Sequence, residues 1–467
     1  MSKNLRTAII VITGLVLWFT PAPLGLSVKA WHLFAIVAAT ILGYILQPIP
    51  MGAIGLTSVV VCVITKTTTV KEALSGYSDA TIWLVVSAIL FARGFINSGL
   101  GTRIAYILVK KIGGSSLKLG YAILLTDLII APATPSNTAR AGGILFPIVR
   151  SLSSVFGSEA NPESRKKLGA YLTQTLYQSV VVTSMMFITA IASNSLVVPF
   201  ARQIANVEIS WFTWTLAAIV PGTICLALLP LIMHKIYTPE VKDTPEAREF
   251  ASKELDKMGP MSTREKIVAT IFIAALVLWA TSQWTKLSAT IVAILAVVVM
   301  LWLGAMSYKD MVGETMAWDN MLWMGTLIGL AGLLEKFGFI KWLATLVSAS
   351  IVGVSWVTAL YVLAFVYIAT HYFFAGTSSH VTAMYGAFLA VAISAGAPPY
   401  YAALFLGYAS VLCTGLTHYA MGPSPVLFGP GYVTQGEWWK LGLIFAIFNA
   451  LIWFGIGPFW WKFIGLW

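Results

Sequence analysis

The sequence predicts an all-α polytopic membrane protein made of two repeats of opposite orientation, with two re-entrant helical hairpins. Three observations predict it. Of the 467 residues, 58% are hydrophobic and 10% charged. Apolar stretches recur along the whole chain. A proline-bearing polar stretch, APATPSNTAR at Ala131 to Arg140, has a counterpart in the second half.

The apolar stretches fall at 5–20, 31–46, 51–65, 81–96, 168–200, 212–236, 267–279, 289–303 and 321–334, with more toward the C-terminus. Several are nearer fifteen residues than twenty, short for a straight span. The first follows Lys3 and Arg6 and lacks a convincing small-residue cleavage site, so residues 1–30 are expected to hold a retained extra helix rather than a signal peptide.

A formal charge of +11 suggests nucleic acid in a soluble protein, but here the basic residues cluster at loops and helix ends, which fits cytoplasmic retention instead. The segment 237–266 alternates acids with Lys242, Arg248, Lys253, Lys257, Arg264 and Lys266 and reads as a cytoplasmic helical linker. With a basic N-terminus also inside, the chain is expected to be multi-pass in the plasma (inner) membrane. Cys62, Cys225 and Cys413 lie far apart in apolar segments and propose neither a disulfide framework nor a metal site. No cofactor is expected.

The linker divides the chain near its middle, between repeats at 31–236 and 267–467. SDATIWLVVSAILFARGFINSGL from Ser78 aligns with WDNMLWMGTLIGLAGLLEKFGFI from Trp318, matching Asp79 to Asp319 and Trp83 to Trp323. With a small shift, SNTARAGGILFPI from Ser136 lies against SSHVTAMYGAFLA from Ser378. An odd number of spans per repeat inverts the second half about an axis in the membrane plane.

Flanking APATPSNTAR, apolar arms of about 11 to 14 helical residues reach only about 16 to 21 Å. Neither crosses a roughly 30 Å hydrocarbon core, so hairpins are expected at 119–150 and 355–395, entering and leaving on one side. Pro132 and Pro135 break the first, and Gly376 the second. Ser136, Asn137 and Thr138 suit the start of a helix, as do Thr377, Ser378 and Ser379. Helix starts hold anions through their free N–H groups. Ser, Thr and Asn in membrane helices are often mere interhelical glue, but the paired occurrence beside two helix breaks favours two anion cradles.

These residues resemble the divalent anion:sodium symporter family, the INDY-type carboxylate transporters, which carry two SNT-type motifs at the tips of opposed hairpins. Ser136, Asn137 and Thr138 match the first motif; Ser378 keeps the second serine, with Ser379 standing for asparagine and His380 for threonine. THYAMGPSPVLFGPGYVTQGEWWK, from Thr417, is similar to the anion-exchange branch, which includes citrate/succinate, tartrate/succinate and 2-oxoglutarate/malate translocators. The resemblance implies a homodimer of eleven-span protomers, each with a scaffold domain and an elevator-type transport domain. It implies a site from Ser136, Asn137, Thr138, Ser378 and Ser379, closed by broken helices near 183–194 and 414–425, which bring Thr183, Thr417, Pro423 and Ser424.

In sodium-coupled members the tips and broken helices also hold sodium ions; here Arg140 and His380 occupy that neighbourhood. An arginine inside a membrane costs roughly 2.5–3.5 kcal/mol on insertion scales, so it needs a partner or a task. Asp127 is the structural alternative, an ion pair bracing the two arms; the functional reading makes Arg140 and His380 countercharges to two substrate carboxylates. His371 and His418 are second candidates, whereas His32 and His234 look peripheral.

The expected function is sodium-independent exchange of C4 or C5 dicarboxylates such as succinate, malate, fumarate and 2-oxoglutarate, with partners limited to solute, bilayer and a second copy. The rivals are a sodium-coupled di- or tricarboxylate symporter and a membrane enzyme using Asp127, His371 and His380, although no HExxH motif, paired-aspartate motif or nucleophile elbow is present.

Overall fold

The computed structural model describes residues 2–348, 354–374 and 376–467; Ala375, inside the expected hairpin 355–395, lies outside the described residues. Those described form helices without a strand, apart from an isolated bridge between Ser115 and Asp243.

In the first half, α1 (Lys3–Phe19) lies against α2 (Val28–Leu46) with none of its residues buried. α3 (Met51–Ile64) and α4 (Ala80–Ser98) follow; α4 starts on Asp79, whose carboxylate accepts the Thr81 N–H at 2.8 Å. Gly99, at φ 81°, turns the chain into the amphipathic α5 (Leu100–Ile112). α6 (Ser116–Ile130) ends in a 3₁₀ turn, Ala131–Ala133. The return arm is a π-helical stretch, Thr138–Leu145, running into α7 (Phe146–Val155). α8 (Gly169–Met186) is buried along its entire length and stops before a 3₁₀ turn at Ile188–Ala190; α9 (Ala192–Ala205) and α10 (Trp211–Ile236) complete this half.

The linker carries α11 (Pro245–Met258). Then come α12 (Thr263–Ala280), with a Ser262/Glu265 capping box, α13 (Ala289–Trp302), α14 (Thr315–Lys336) and α15 (Phe339–Ser348). α16 (Trp356–Thr370) ends in a 3₁₀ turn, His371–Phe373, and after the tip a π stretch, Val381–Tyr385, leads into α17 (Gly386–Ser394). α18 (Pro399–Leu412) breaks at Cys413–Gly415, and α19 (Gln435–Ala450) and α20 (Gly457–Phe463) close the chain.

The two halves repeat in backbone detail as well as order. α4 and α14 each give way to an amphipathic helix at a left-handed glycine, Gly99 (φ 81°) and Gly338 (φ 83°). Each hairpin has a 3₁₀ turn before its tip and a π stretch after it, a distortion that often marks functional positions. The tryptophan match is looser: Trp323 is buried, whereas Trp83 is 37% exposed.

Hydrogen bonds give the sense of each hairpin. The first arm begins at the linker, where Ser116 N–H donates to Lys242 O and Thr244 Oγ1 to Gly113 O. The return arm ends near the same strip, where Glu240 and Val241 N–H donate to Lys166 and Lys167 O. The second hairpin is joined at the other end of α10, with Tyr400 Oη donating to Glu208 O at 3.2 Å. At 26 residues α10 is about 39 Å long, enough to separate the two faces.

The arms are longer than the sequence suggested, with 15 helical residues in α6 and 10 in α7 beyond an 8-residue π stretch. Their outer turns, carrying Ser116, Lys118 and Arg150, continue past the apolar portion to meet the linker side. α5 and α15 escaped the hydropathy reading because they are short and two-faced. On α5, Arg103 is buried in an ion pair with Glu265 at 2.6 Å, while Lys110 and Lys111 face outward.

Candidate functional site

The breaks in α8/α9 and α18 bring backbone polar groups into the interior, and each hairpin's return arm packs beside the segment following the other half's break. Thr138–Leu145 lies against Ser424–Phe428, and Thr377–His380 against α9. The site is built from this crossed arrangement.

At the first tip, Ser136 Oγ accepts the Ala139 N–H at 3.2 Å, the cap foreseen for that serine. Asn137 Nδ2 reaches Met421 Sδ at 3.3 Å. Thr138 lies against Gly422 so closely that a Cβ there would meet Thr138 Oγ1 at 2.0 Å. Pro423 and Ser424 follow, and Ser424 Oγ joins Tyr177 Oη at 2.8 Å while accepting Met421 N–H at 3.1 Å. Tyr177 Oη also donates to Thr414 O at 2.6 Å. Sequence reasoning missed Tyr177, which reads as one more apolar helix residue until α8 meets the second break.

Arg140 is fully buried, and all five of its N–H groups have protein acceptors. Nε donates to Asp127 Oδ1 at 2.5 Å, Nη1 to Thr134 O at 2.9 Å and Ala190 O at 3.0 Å, and Nη2 to Thr183 Oγ1 at 3.3 Å and Ser184 Oγ at 3.2 Å. Thr183 Oγ1 in turn donates to Asp127 Oδ2. The guanidinium thus ties both hairpin arms to the first break, and Asp127 is its partner. The ion pair raised by the sequence as the structural alternative is the arrangement present here, with every Arg140 donor taken by a protein acceptor.

At the second tip, Ser379 Oγ donates to Tyr44 O of α2 at 3.4 Å, and Ser378 is half-buried beside it. Counted from the 3₁₀ turns Ala131–Ala133 and His371–Phe373, His380 is the counterpart of Arg140 rather than of Thr138, a correction to the sequence match, but its ring meets a different set. Its Nδ1 lies 3.1 Å from His371 Nδ1 and its Nε2 3.2 Å from Thr370 Oγ1, while the Tyr367 ring packs beside it, tilted by 31° at 4.3 Å between centroids. His371 Nε2 donates to Ala420 O at 3.0 Å. A neutral His371 therefore presents a bare Nδ1, and His380 Nδ1–H donates to it; only one proton fits between the two rings. His418 accepts from Trp439 Nε1 at 3.0 Å, His32 stacks on Trp18, and His234 lies near Ser116 on the linker side.

Around the tips and breaks, several buried polar atoms have no hydrogen-bond partner among the described residues: Thr134 Oγ1, Ser193 Oγ, Asn194 Oδ1, Thr377 Oγ1 and Thr417 Oγ1. Asn194 Nδ2, by contrast, caps Ser184 O and Phe187 O. Buried polar atoms of this kind ordinarily face a partner such as water or ligand. Thr417 is one of the residues the sequence put forward; Ser193, Thr134 and Thr377 share its lack of a partner.

The whole chain, residues 1–467, matches the family described as the sodium:sulfate symporter transmembrane region. It is 45% identical over 465 residues to the putative malate transporter YflS of Bacillus subtilis, covering 100% of this chain and 97% of the relative. It is 43% identical to dicarboxylate transporter 1 of Arabidopsis thaliana chloroplasts, covering 98% and 82%, and 38% identical to the inner membrane protein YbhI of Escherichia coli, covering 100% and 99%. In fold it is similar to the Alcanivorax borkumensis YdaH transporter, with a TM-score of 0.57 at 12% identity over 86% of this chain and 89% of that one. The inverted hairpins, the crossed breaks and these full-length likenesses lead to one statement: the chain belongs to the divalent anion:sodium symporter family of integral membrane transporters, and it is a carrier rather than an enzyme.

Proposed function

We propose that this carrier exchanges C4 or C5 dicarboxylates across the membrane without sodium. The dicarboxylate class comes from the malate and dicarboxylate transporters it is similar to. Sodium independence rests on one observation: two backbone carbonyls, two hydroxyls and a carboxylate, an oxygen set well suited to an alkali ion, are all bonded to the Arg140 guanidinium. Arg140 acts as a resident cation that cannot dissociate, so no sodium gradient is harnessed at that hairpin. Because Asp127 balances its charge, the solute is held by other groups: the backbone and side chains at Ser136–Thr138 and Ser378–Ser379, and the unpartnered hydroxyls of Thr417, Thr377 and Ser193.

Exchange follows from those same groups. A buried polar atom without a partner costs about 1–3 kcal/mol, so an empty site with several of them returns slowly past an apolar scaffold, at tenfold per roughly 1.4 kcal/mol. A filled site returns readily. We take the functional unit to be a homodimer, and the linker face, rich in Lys110, Lys111, Lys166, Lys167 and Lys242, to be cytoplasmic.

Proteoliposomes test the reading. Labelled malate should enter only vesicles preloaded with dicarboxylate, at the same rate in sodium and choline. Sodium-stimulated filling of dicarboxylate-free vesicles would instead establish the symporter.

A further inference from the structure

The second hairpin carries a group of side chains that solute binding does not explain. His371, on the turn ending the first arm, His380, at the start of the return arm, and Cys413, at the second break, are all buried, and their ligand atoms lie within 4.8 Å of one another. The two Nδ1 atoms are 3.1 Å apart, and Cys413 Sγ is 3.9 Å from His380 Nδ1. In a tetrahedral zinc site, bond lengths near 2.0–2.1 Å to nitrogen and 2.3 Å to sulfur put ligand nitrogens about 3.3 Å apart and nitrogen and sulfur about 3.6 Å apart. The nitrogen pair already fits, and the sulfur needs a shift of at most about 1.2 Å.

The outer partners are also those of a metal site. His371 Nε2 is fixed by Ala420 O, which orients Nδ1 inward, and His380 Nε2 faces Thr370 Oγ1, which can accept because its own proton goes to Tyr367 O. Histidine ligands commonly donate their second N–H in this way. A like pair without a metal has to share one proton across the Nδ1–Nδ1 gap.

We propose that His371, His380 and Cys413 form a binding site for a thiophilic transition-metal cation of the Zn²⁺ class. Binding moves the His380 proton from Nδ1 to Nε2, where Thr370 Oγ1 accepts it, and releases the Cys413 thiol proton. One divalent ion entering and one proton leaving change the local charge by +1. That gives the second tip a fixed positive charge like the one Arg140 carries at the first. The ion also cross-links both arms of the hairpin to the second break. The site stands independently of whether sodium is coupled.

The test uses the purified full chain in detergent, incubated with excess zinc chloride and desalted. Elemental analysis should find about one zinc per chain, and about one proton should be released per ion. Cobalt in place of zinc should give intense tetrahedral visible bands and a thiolate-to-cobalt charge-transfer band. Cys413→Ser should abolish the charge-transfer band and lower metal retention at least tenfold, as should His371→Gln, while Cys225→Ser changes neither. Monodisperse elution keeps the comparison to folded protein. Folded wild-type chain that retains less than about 0.1 zinc, or equal retention by folded Cys413→Ser, overturns the proposal, whatever the exchange assay reads.

Discussion

Arg140 and Asp127 face each other from the two arms of one hairpin, 2.5 Å from Nε to Oδ1, and neither side chain is accessible. Taking away one member of such a pair strands a buried charge, at about 3–5 kcal/mol, whereas replacing both by apolar side chains is often neutral. Asp127→Ala should therefore lower the melting temperature sharply, and Asp127→Leu/Arg140→Met should restore most of it without restoring exchange. Scanning fluorimetry of the purified variants is the measurement. A single variant melting within about 2 °C of wild type contradicts the pairing.

The same geometry predicts a gain of sodium sensitivity. Arg140→Ala frees Thr134 O, Ala190 O, Thr183 Oγ1, Ser184 Oγ and the Asp127 carboxylate together, a set of hard oxygens around a vacated cation position. Sodium chloride should stabilise this variant against melting more than choline chloride does at equal ionic strength, and wild type should show no difference. Equal curves for the variant in both salts remove the resident-cation argument.

Where the first tip meets the second break there is no room for a methyl group, since a Cβ on Gly422 falls 2.0 Å from Thr138 Oγ1. Gly422→Ala should push the tip away and reduce exchange at least tenfold. Adding Thr138→Ala removes the clash, leaving an ordinary 3.4 Å contact to Cβ, so melting should recover while transport does not. Recovery of both would show that the Thr138 hydroxyl does not serve the solute.

An equally close contact, against backbone rather than side chain, lies away from the site. A Cβ on Gly76 meets Gly325 O at 2.0 Å and Gly329 N at 2.4 Å, both backbone atoms of α14. Nothing there can rotate aside, so Gly76→Ala should cost at least about 1–3 kcal/mol. The readout is a lowered melting temperature, and none at all would mean α14 is free to slide.

Outside the spans, Glu72 accepts from Lys336 Nζ at 2.8 Å and from the Thr69 N–H at 3.0 Å, which hold its carboxyl down at about 2. Its unfolded value is about 4.3. The contribution is complete above that value and is lost as pH falls toward 2. Glu72→Gln should therefore melt earlier than wild type at pH 7, and the gap should shrink by about pH 3. A gap that widens in acid reverses the sign and refutes the assignment.

Much of the fold was legible because hydropathy and punctuation are local. The linker and both hairpins were read from composition, from prolines and glycines and from the paired tips, whereas the broken helices near 183–194 and 414–425 were expected only from the family resemblance. α5 and α15 were not legible, because their apolar face is too narrow to register as a span. Arg140 could be placed in sequence, and Asp127 named as its possible partner, but the choice needed the acceptors Thr183 and Ser184 from a helix, and Ala190 O from the turn after it, more than forty residues away. Cys413 looked isolated because sequence spacing cannot register a neighbour 33 residues distant across a helix break. Tyr177 left no signal at all, since its role depends only on which carbonyls the second break turns toward it.

Along Gly169–Met186 every side chain is enclosed, so the helix has no direction in which a bulkier residue could grow. Random mutagenesis should accordingly leave this stretch as a trough of tolerated change, in contrast to Lys3–Phe19, which buries none of its residues. A fluorophore or affinity handle belongs on that outer flange, where it reports on the carrier without disturbing it.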